Sequence, residues 1–142
     1  MNHPLINWIQ IPVIDLDRAA AFYSKVFGVE FFFEELNGMP HAVFQADSSG
    51  ERPVNGALVK LPEAEIGNAG PVLFWDATGR FEHILDQIEP SGGTVVRGKT
   101  LIKLVRDGDP TVIPATYIDD NPGYFAHFID SEGNRMGLYG SH

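Results

Sequence analysis

The sequence predicts an α+β fold made of two copies of one β-α-β-β-β module, and three observations predict it. An apolar strand from Ile6 to Val13 runs into a capped amphipathic helix that stops at Gly28. A second apolar strand, helix and glycine stop recur later in the chain, from Pro71 to Gly92-Gly93. Each helix is followed by segments rich in β-branched and aromatic residues, the composition of strands. A repeat of this length is a duplicated supersecondary unit, not a solenoid period. One helix can cover only one face of four strands, so the other face must meet a second sheet, close on itself or line a cavity.

In the first module Asp15 is placed to cap the helix, and Leu16, Ala19, Ala20, Phe22, Tyr23, Val26 and Phe27 form one broad apolar face. Val29 to Phe33 reads as a strand, Glu34 to Gly38 as a turn, and His41 to Ala46 as the returning strand of a hairpin. Asp47 to Pro53 reads as a loop, and Val54 to Leu61 as the last strand. Pro62 to Gly70, with no sustained apolar pattern, is the connector. The second module reads as a strand from Pro71, a helix from Arg80 to Glu89, the Gly92-Gly93 stop and a strand from Thr94 to Arg97. It is longer than the first, and the extra residues fall between Thr100 and Gly123. Val112, Ile113, Tyr117 and Ile118 lie in that insertion, so a wall or lid over a pocket and a solvent-facing hairpin both stay open. The chain is thus expected to be one domain, with module 1 at about residues 5–61 and module 2 at about 71–140.

At 142 residues the chain can bury a core without disulfides or a structural metal. It has no cysteine, which removes thiolate nucleophiles and cysteine-bound zinc and leaves any metal to His, Asp, Glu or Gln. The net charge of −9 argues against nucleic acid and anionic membrane as partners and favours a small neutral or cationic ligand. No apolar run reaches the length of a membrane span, and the start MNHPLINW lacks the pattern of a secretory signal, so a cytoplasmic location is the default expectation.

The phrases IPVIDLDRAAAFYSKVFGVEF, GALV at residues 56–59, the Gly92-Gly93 stop and FAHFIDSEGNRMGLY at 125–139 occur in an order that resembles the vicinal oxygen chelate superfamily, the glyoxalase, bleomycin-resistance and extradiol dioxygenase-like proteins. The resemblance implies two βαβββ modules whose mixed sheets curl into a partly closed cup that holds the ligand, and a homodimer. It also implies that metal-dependent members place His, Gln or Glu ligands on the first and last strands of each module. Those positions fall here on Trp8, Ala57, Leu73 or Phe74, and Gly137, none of which carries a donor for a divalent metal. The expectation is therefore no metal and no cofactor.

Trp8 and Gln10 share a strand face and offer stacking and hydrogen bonding, unless Trp8 simply fills the space of a metal site. Trp75 stands in the corresponding strand of the second module, and a shift of one residue would turn it away. Arg135, Gly137 and Tyr139 also share a face, where Arg135 could hold an anion and Tyr139 donate a hydrogen bond. His127 is a candidate base or polar pocket residue, whereas His3, His83 and His142 read as solvated. The turn Asp130 to Asn134 lacks the ligand spacing of a calcium or phosphate loop and reads as a tight connection between the last two strands. Together these features favour a metal-free protein that binds a small organic molecule by shape and stacking, with Trp8, Gln10, Trp75, His127, Arg135 and Tyr139 as binding candidates. Two alternatives remain: a lyase, isomerase or dioxygenase with displaced ligands, for which His41 and His127 must converge, and a dimeric interaction module whose cup is filled by its own side chains.

Overall fold

The computed structural model describes residues 5–45, 54–62, 66–67, 69–106, 109–112 and 114–142. His3 and the expected loop at 47–53 lie outside them. The chain divides into two compact units, Met1–Gly67 and Asn68–His142.

The first unit contains β1 (Trp8–Val13), α1 (Leu16–Phe27), β2 (Phe31–Leu36), β3 (Met39–Phe44) and β4 (Asn55–Lys60). Its sheet has the order β1-β4-β3-β2, with β1 parallel to β4 and the other pairs antiparallel. The helix starts where expected because the Asp15 carboxylate accepts a hydrogen bond from the Arg18 amide at 3.0 Å. It stops at Gly28, whose φ of 71° is left-handed and whose amide donates to the Ser24 carbonyl. The apolar stripe buries Ala19, Ala20, Phe22, Tyr23, Val26 and Phe27 against β3 and β4. Ile11, Val13, Ala42, Phe44 and Leu58 complete that core. Strand β2 runs three residues further than the sequence implies. Asn37 (φ 52°) and Gly38 (φ 77°) alone turn the chain, as a two-residue hairpin loop with both central residues at positive φ requires. Glu34 and Glu35 therefore continue the ladder, opposite His41 and Pro40.

The second unit repeats this topology with β5 (Leu73–Asp76), α2 (Phe81–Ile88), β6 (Thr94–Leu101), β9 (Gly123–Ile129) and β10 (Arg135–Ser141). Its sheet order is β5-β10-β9-β6, and β5 is again the parallel partner of the last strand. Helix α2 buries Phe81, Ile84 and Ile88, and Ala126, Phe128, Met136 and Leu138 are buried apolar residues of the sheet. The insertion between β6 and β9 carries its own antiparallel hairpin, β7 (Lys103–Arg106) with β8 (Asp109–Val112), followed by a 3-10 turn at Pro114–Thr116. At the β9-β10 turn, the buried Asp130 accepts from the amides of Glu132 (2.8 Å) and Asn134 (2.9 Å) and from the Asn134 side chain (3.1 Å), while Gly133 takes φ 100°. The carboxylate is spent on the turn, as the sequence implies. No helix among the described residues is long and apolar enough to cross a membrane.

Candidate functional site

Side-chain alternation divides each sheet into a helix-covered and a helix-free face. In the first unit Ile11, Val13, Ala42 and Leu58 point to α1, so Trp8, Gln10 and Pro12 point away from it. The register sets Gln10 beside Ala57 and Val43, and Pro12 beside Val59, His41 and Glu34. Trp8 stays 46% exposed, and Gln10 is exposed too. His41 is buried, and its Nδ1 lies 2.8 Å from the Met39 carbonyl oxygen. A carbonyl only accepts, so Nδ1 is the donor in this bond. A crevice of about 500 Å³ opens nearby, lined by Ile14 to Arg18, Pro40 and Lys60, but its Asp15 carboxylate is engaged in capping α1.

The helix-free face of the second unit gathers more chemistry. One cross-sheet row holds Phe74, Gly137, His127 and Arg97; the next holds Asp76, Tyr139, Phe125 and Thr100. Phe74 and Phe125 flank the His127 ring edge-on, at centroid distances of 5.5 and 5.6 Å. Nδ1 of His127 is buried and has no hydrogen-bond partner among the described residues. Burial, then the positive charges of Arg135 and Arg97, hold this imidazole below the usual histidine pKa. Trp75, expected on this side, pairs with Leu138 and so lies one residue out of phase, on the face that carries α2. Tyr139 donates its phenol O–H to the Thr116 carbonyl at 2.6 Å, which ties the insertion to this face. A β-carbon at Gly123 would collide with that same carbonyl, so glycine is required there for the close approach. His83 and His142 are exposed and stand outside both faces.

The first of two register shifts in β6 brings Arg97 into the row. Val95 pairs with Phe128 on the helix-covered face, and strict alternation would send Arg97 to that face as well. A bulge after Val95 turns Arg97 to the opposite side, where its guanidinium stacks 5.2 Å from the Phe125 centroid. A second bulge returns Lys99 to the helix side, over the rings of Phe81 and Tyr124 and 3.2 Å from the Glu82 carboxylate. Sequence reasoning missed Arg97 and Phe125, and reached Phe74 only as a candidate position for a metal donor. Gly98 inside a β-branched run was the available sign that the strand is irregular.

The positions that resemblance assigns to metal donors do not fit a metal. Gly137 has no side chain, and a β-carbon there would collide with the Phe74 ring, so the ring blocks the space where a ligand side chain would stand. Trp8 and Ala57 offer no donor. Among the described residues no three His, Asp or Glu side chains converge in a way that could hold a metal ion.

Comparison with known proteins agrees with this architecture. The structure of a glyoxalase/bleomycin resistance protein from Albidiferax ferrireducens T118 superposes with a TM-score of 0.65 at 14% identity, over 96% of this chain and 99% of that one. The fosfomycin resistance protein FosX from Listeria monocytogenes, solved with Mn(II) and sulfate, gives 0.63 at 12% identity over 100% and 95%. The V278E mutant of glyoxalase I from Zea mays gives 0.60 at 14% identity, over 94% of this chain but only 45% of the longer enzyme. At such identities the likeness is one of fold. No curated protein matches the sequence significantly. Residues 5–137 match the sequence family directly, and on that match, with the duplicated topology, the chain belongs to the glyoxalase/bleomycin resistance protein/dioxygenase superfamily.

Proposed function

We propose that the protein binds a small organic molecule on helix-free sheet surface by shape, stacking and hydrogen bonding, without a metal. The observation that carries this reading is the Phe74 ring seated over Gly137. It replaces a position for a ligating carboxylate with an aromatic surface, and Phe74 keeps 48% of its area exposed. Trp8 and Gln10 in the first unit, and His127, Arg135 and Tyr139 in the second, supply further stacking and polar groups. A homodimer is part of the reading, supported by exposed Ile6, Trp8, Phe32 and Leu36 in the first unit.

FosX from Listeria was solved with Mn(II), so metal content is the direct test. Protein purified without added metal, and again after incubation with nickel, zinc, manganese and iron(II), should contain no stoichiometric metal and show no metal-dependent rise in Tm. Stoichiometric metal that stabilises the fold and is lost in His127→Ala or His41→Ala would replace this reading with a metal-dependent enzyme. Light scattering of the same samples should give the mass of a dimer.

A further inference from the structure

We infer that the helix-free face of the second unit is a receptor for an aromatic carboxylate, gripped by Arg97 and Arg135 above a floor of Phe74, Phe125 and His127. The inference rests on the small-molecule reading and narrows it to one ligand class.

The argument begins with local charge. The chain as a whole is acidic at −9, yet the charged groups that act on His127 are both cationic, Arg135 and Arg97. The one acid in these rows, Asp76, is turned to Thr78, its Oδ1 accepting from the hydroxyl at 2.8 Å and the amide at 3.3 Å, and the two arginines outnumber it. The face is thus a positive island on a negative molecule, which selects an anion at this place whatever the total charge says.

The second step is preorganisation. Arg97 donates from Nε to the Thr100 hydroxyl at 3.3 Å, and that hydroxyl donates to the Gly98 carbonyl at 2.9 Å. This relay spans the second bulge and fixes the guanidinium against the Phe125 ring while leaving its two Nη groups for a ligand. A planar fork held this way matches the two oxygens of a carboxylate. The third step is the floor. Phe74, half exposed over Gly137, offers a flat apolar surface in the same row as Arg97, with His127 between them. A neutral imidazole there, held edge-on between Phe74 and Phe125, suits an aromatic ring. A carboxylate attached to a ring matches a guanidinium beside an aromatic floor; a cation would meet two guanidinium groups.

Titration of the 15N-labelled protein with benzoate, benzamide and benzylamine tests the assignment, read at the arginine Nε–H and His127 ring signals. Benzoate should shift Arg97 and His127. Benzamide should bind about tenfold more weakly, the loss expected for one charge-assisted hydrogen bond, and benzylamine should leave these signals in place. Arg97→Gln should weaken benzoate by about tenfold, with Arg97→Lys recovering only part, since it restores the charge but not the fork. Arg135→Gln, on a different strand, gives an independent reading if the β6 bulge tolerates no change at Arg97. Equal binding of all three probes at this face, or benzoate affinity indifferent to both glutamine variants, would overturn the anion assignment and leave the small-molecule reading standing. Absence of shifts on either helix-free face with every probe would overturn both.

Discussion

Gly137 and Phe74 show how one absent side chain constrains its surroundings. The ring packs so closely on Gly137 that a β-carbon would collide with it, so Gly137→Ala forces Phe74 out of place and should cost about 1–3 kcal/mol, as overpacking does. Urea denaturation of the single variants and of the Phe74→Ala/Gly137→Ala pair should show most of that cost disappearing when the ring is removed. Additive costs would mean that the two residues are not coupled. His127 supplies a second test. Its pKa is lowered by burial and then by Arg135 and Arg97, so the unfolded chain binds the proton more readily than the folded one. The stability from this residue is therefore complete above the unfolded value near 6.5 and is lost as pH falls below it. Phe74, Phe125, Gly137 and Arg97 face the ring, and none of them supplies a negative charge to oppose the shift. His127→Gln should flatten the fall in Tm between pH 7.5 and pH 5.5; an unchanged slope would place the titration elsewhere. Single residues were only partly legible in the sequence. The spacing of Arg135, Gly137 and Tyr139 fixed their common face, whereas Trp75 was displaced by one residue because nothing local sets the phase of a short strand.

Among the elements, those with local punctuation were read well, and the strand with irregular pairing was not. The Asp15 cap and the Gly28 stop bound α1 within one residue, because each acts through the backbone beside it. Strand β6 was read four residues short, ending at Arg97 instead of Leu101. Its two bulges exist only relative to β9, a strand more than twenty residues away in the chain, so no pattern within β6 could place them. The insertion is the remaining element. Tyr139→Phe removes the donor to the Thr116 carbonyl and should cost about 1 kcal/mol. Hydrogen exchange should quicken at the amides of Tyr117, Ile118 and Asn121 and stay unchanged in the β9-β10 ladder. Faster exchange throughout the ladder would show that the phenol supports the sheet itself.

At the scale of the molecule, the duplication was the most legible feature, since the order of helix, stop and strand recurs even where individual residues differ. The two sheets share one topology, each with its first and last strands parallel. Charge was legible only as a sum. A total of −9 pointed toward neutral or cationic ligands, while the second unit's sheet concentrates arginine on one face through a bulge that composition does not record. The combination has a kinetic signature. An aromatic carboxylate must approach through a repulsive field, so stopped-flow association of benzoate should quicken as ionic strength rises, because screening acts on the distant charges first. A rate that falls with salt would mean that the local arginines dominate even at long range.

The Ile102 amide donates to the Gly123 carbonyl at 3.0 Å, directly beyond the closing Leu101–Tyr124 pair of the β6-β9 ladder. The chain therefore departs from the β6-β9 ladder and rejoins it at one hydrogen-bonded doorway. A segment closed in this way can change its length without re-threading a strand, at an entropic cost that grows only slowly with that length.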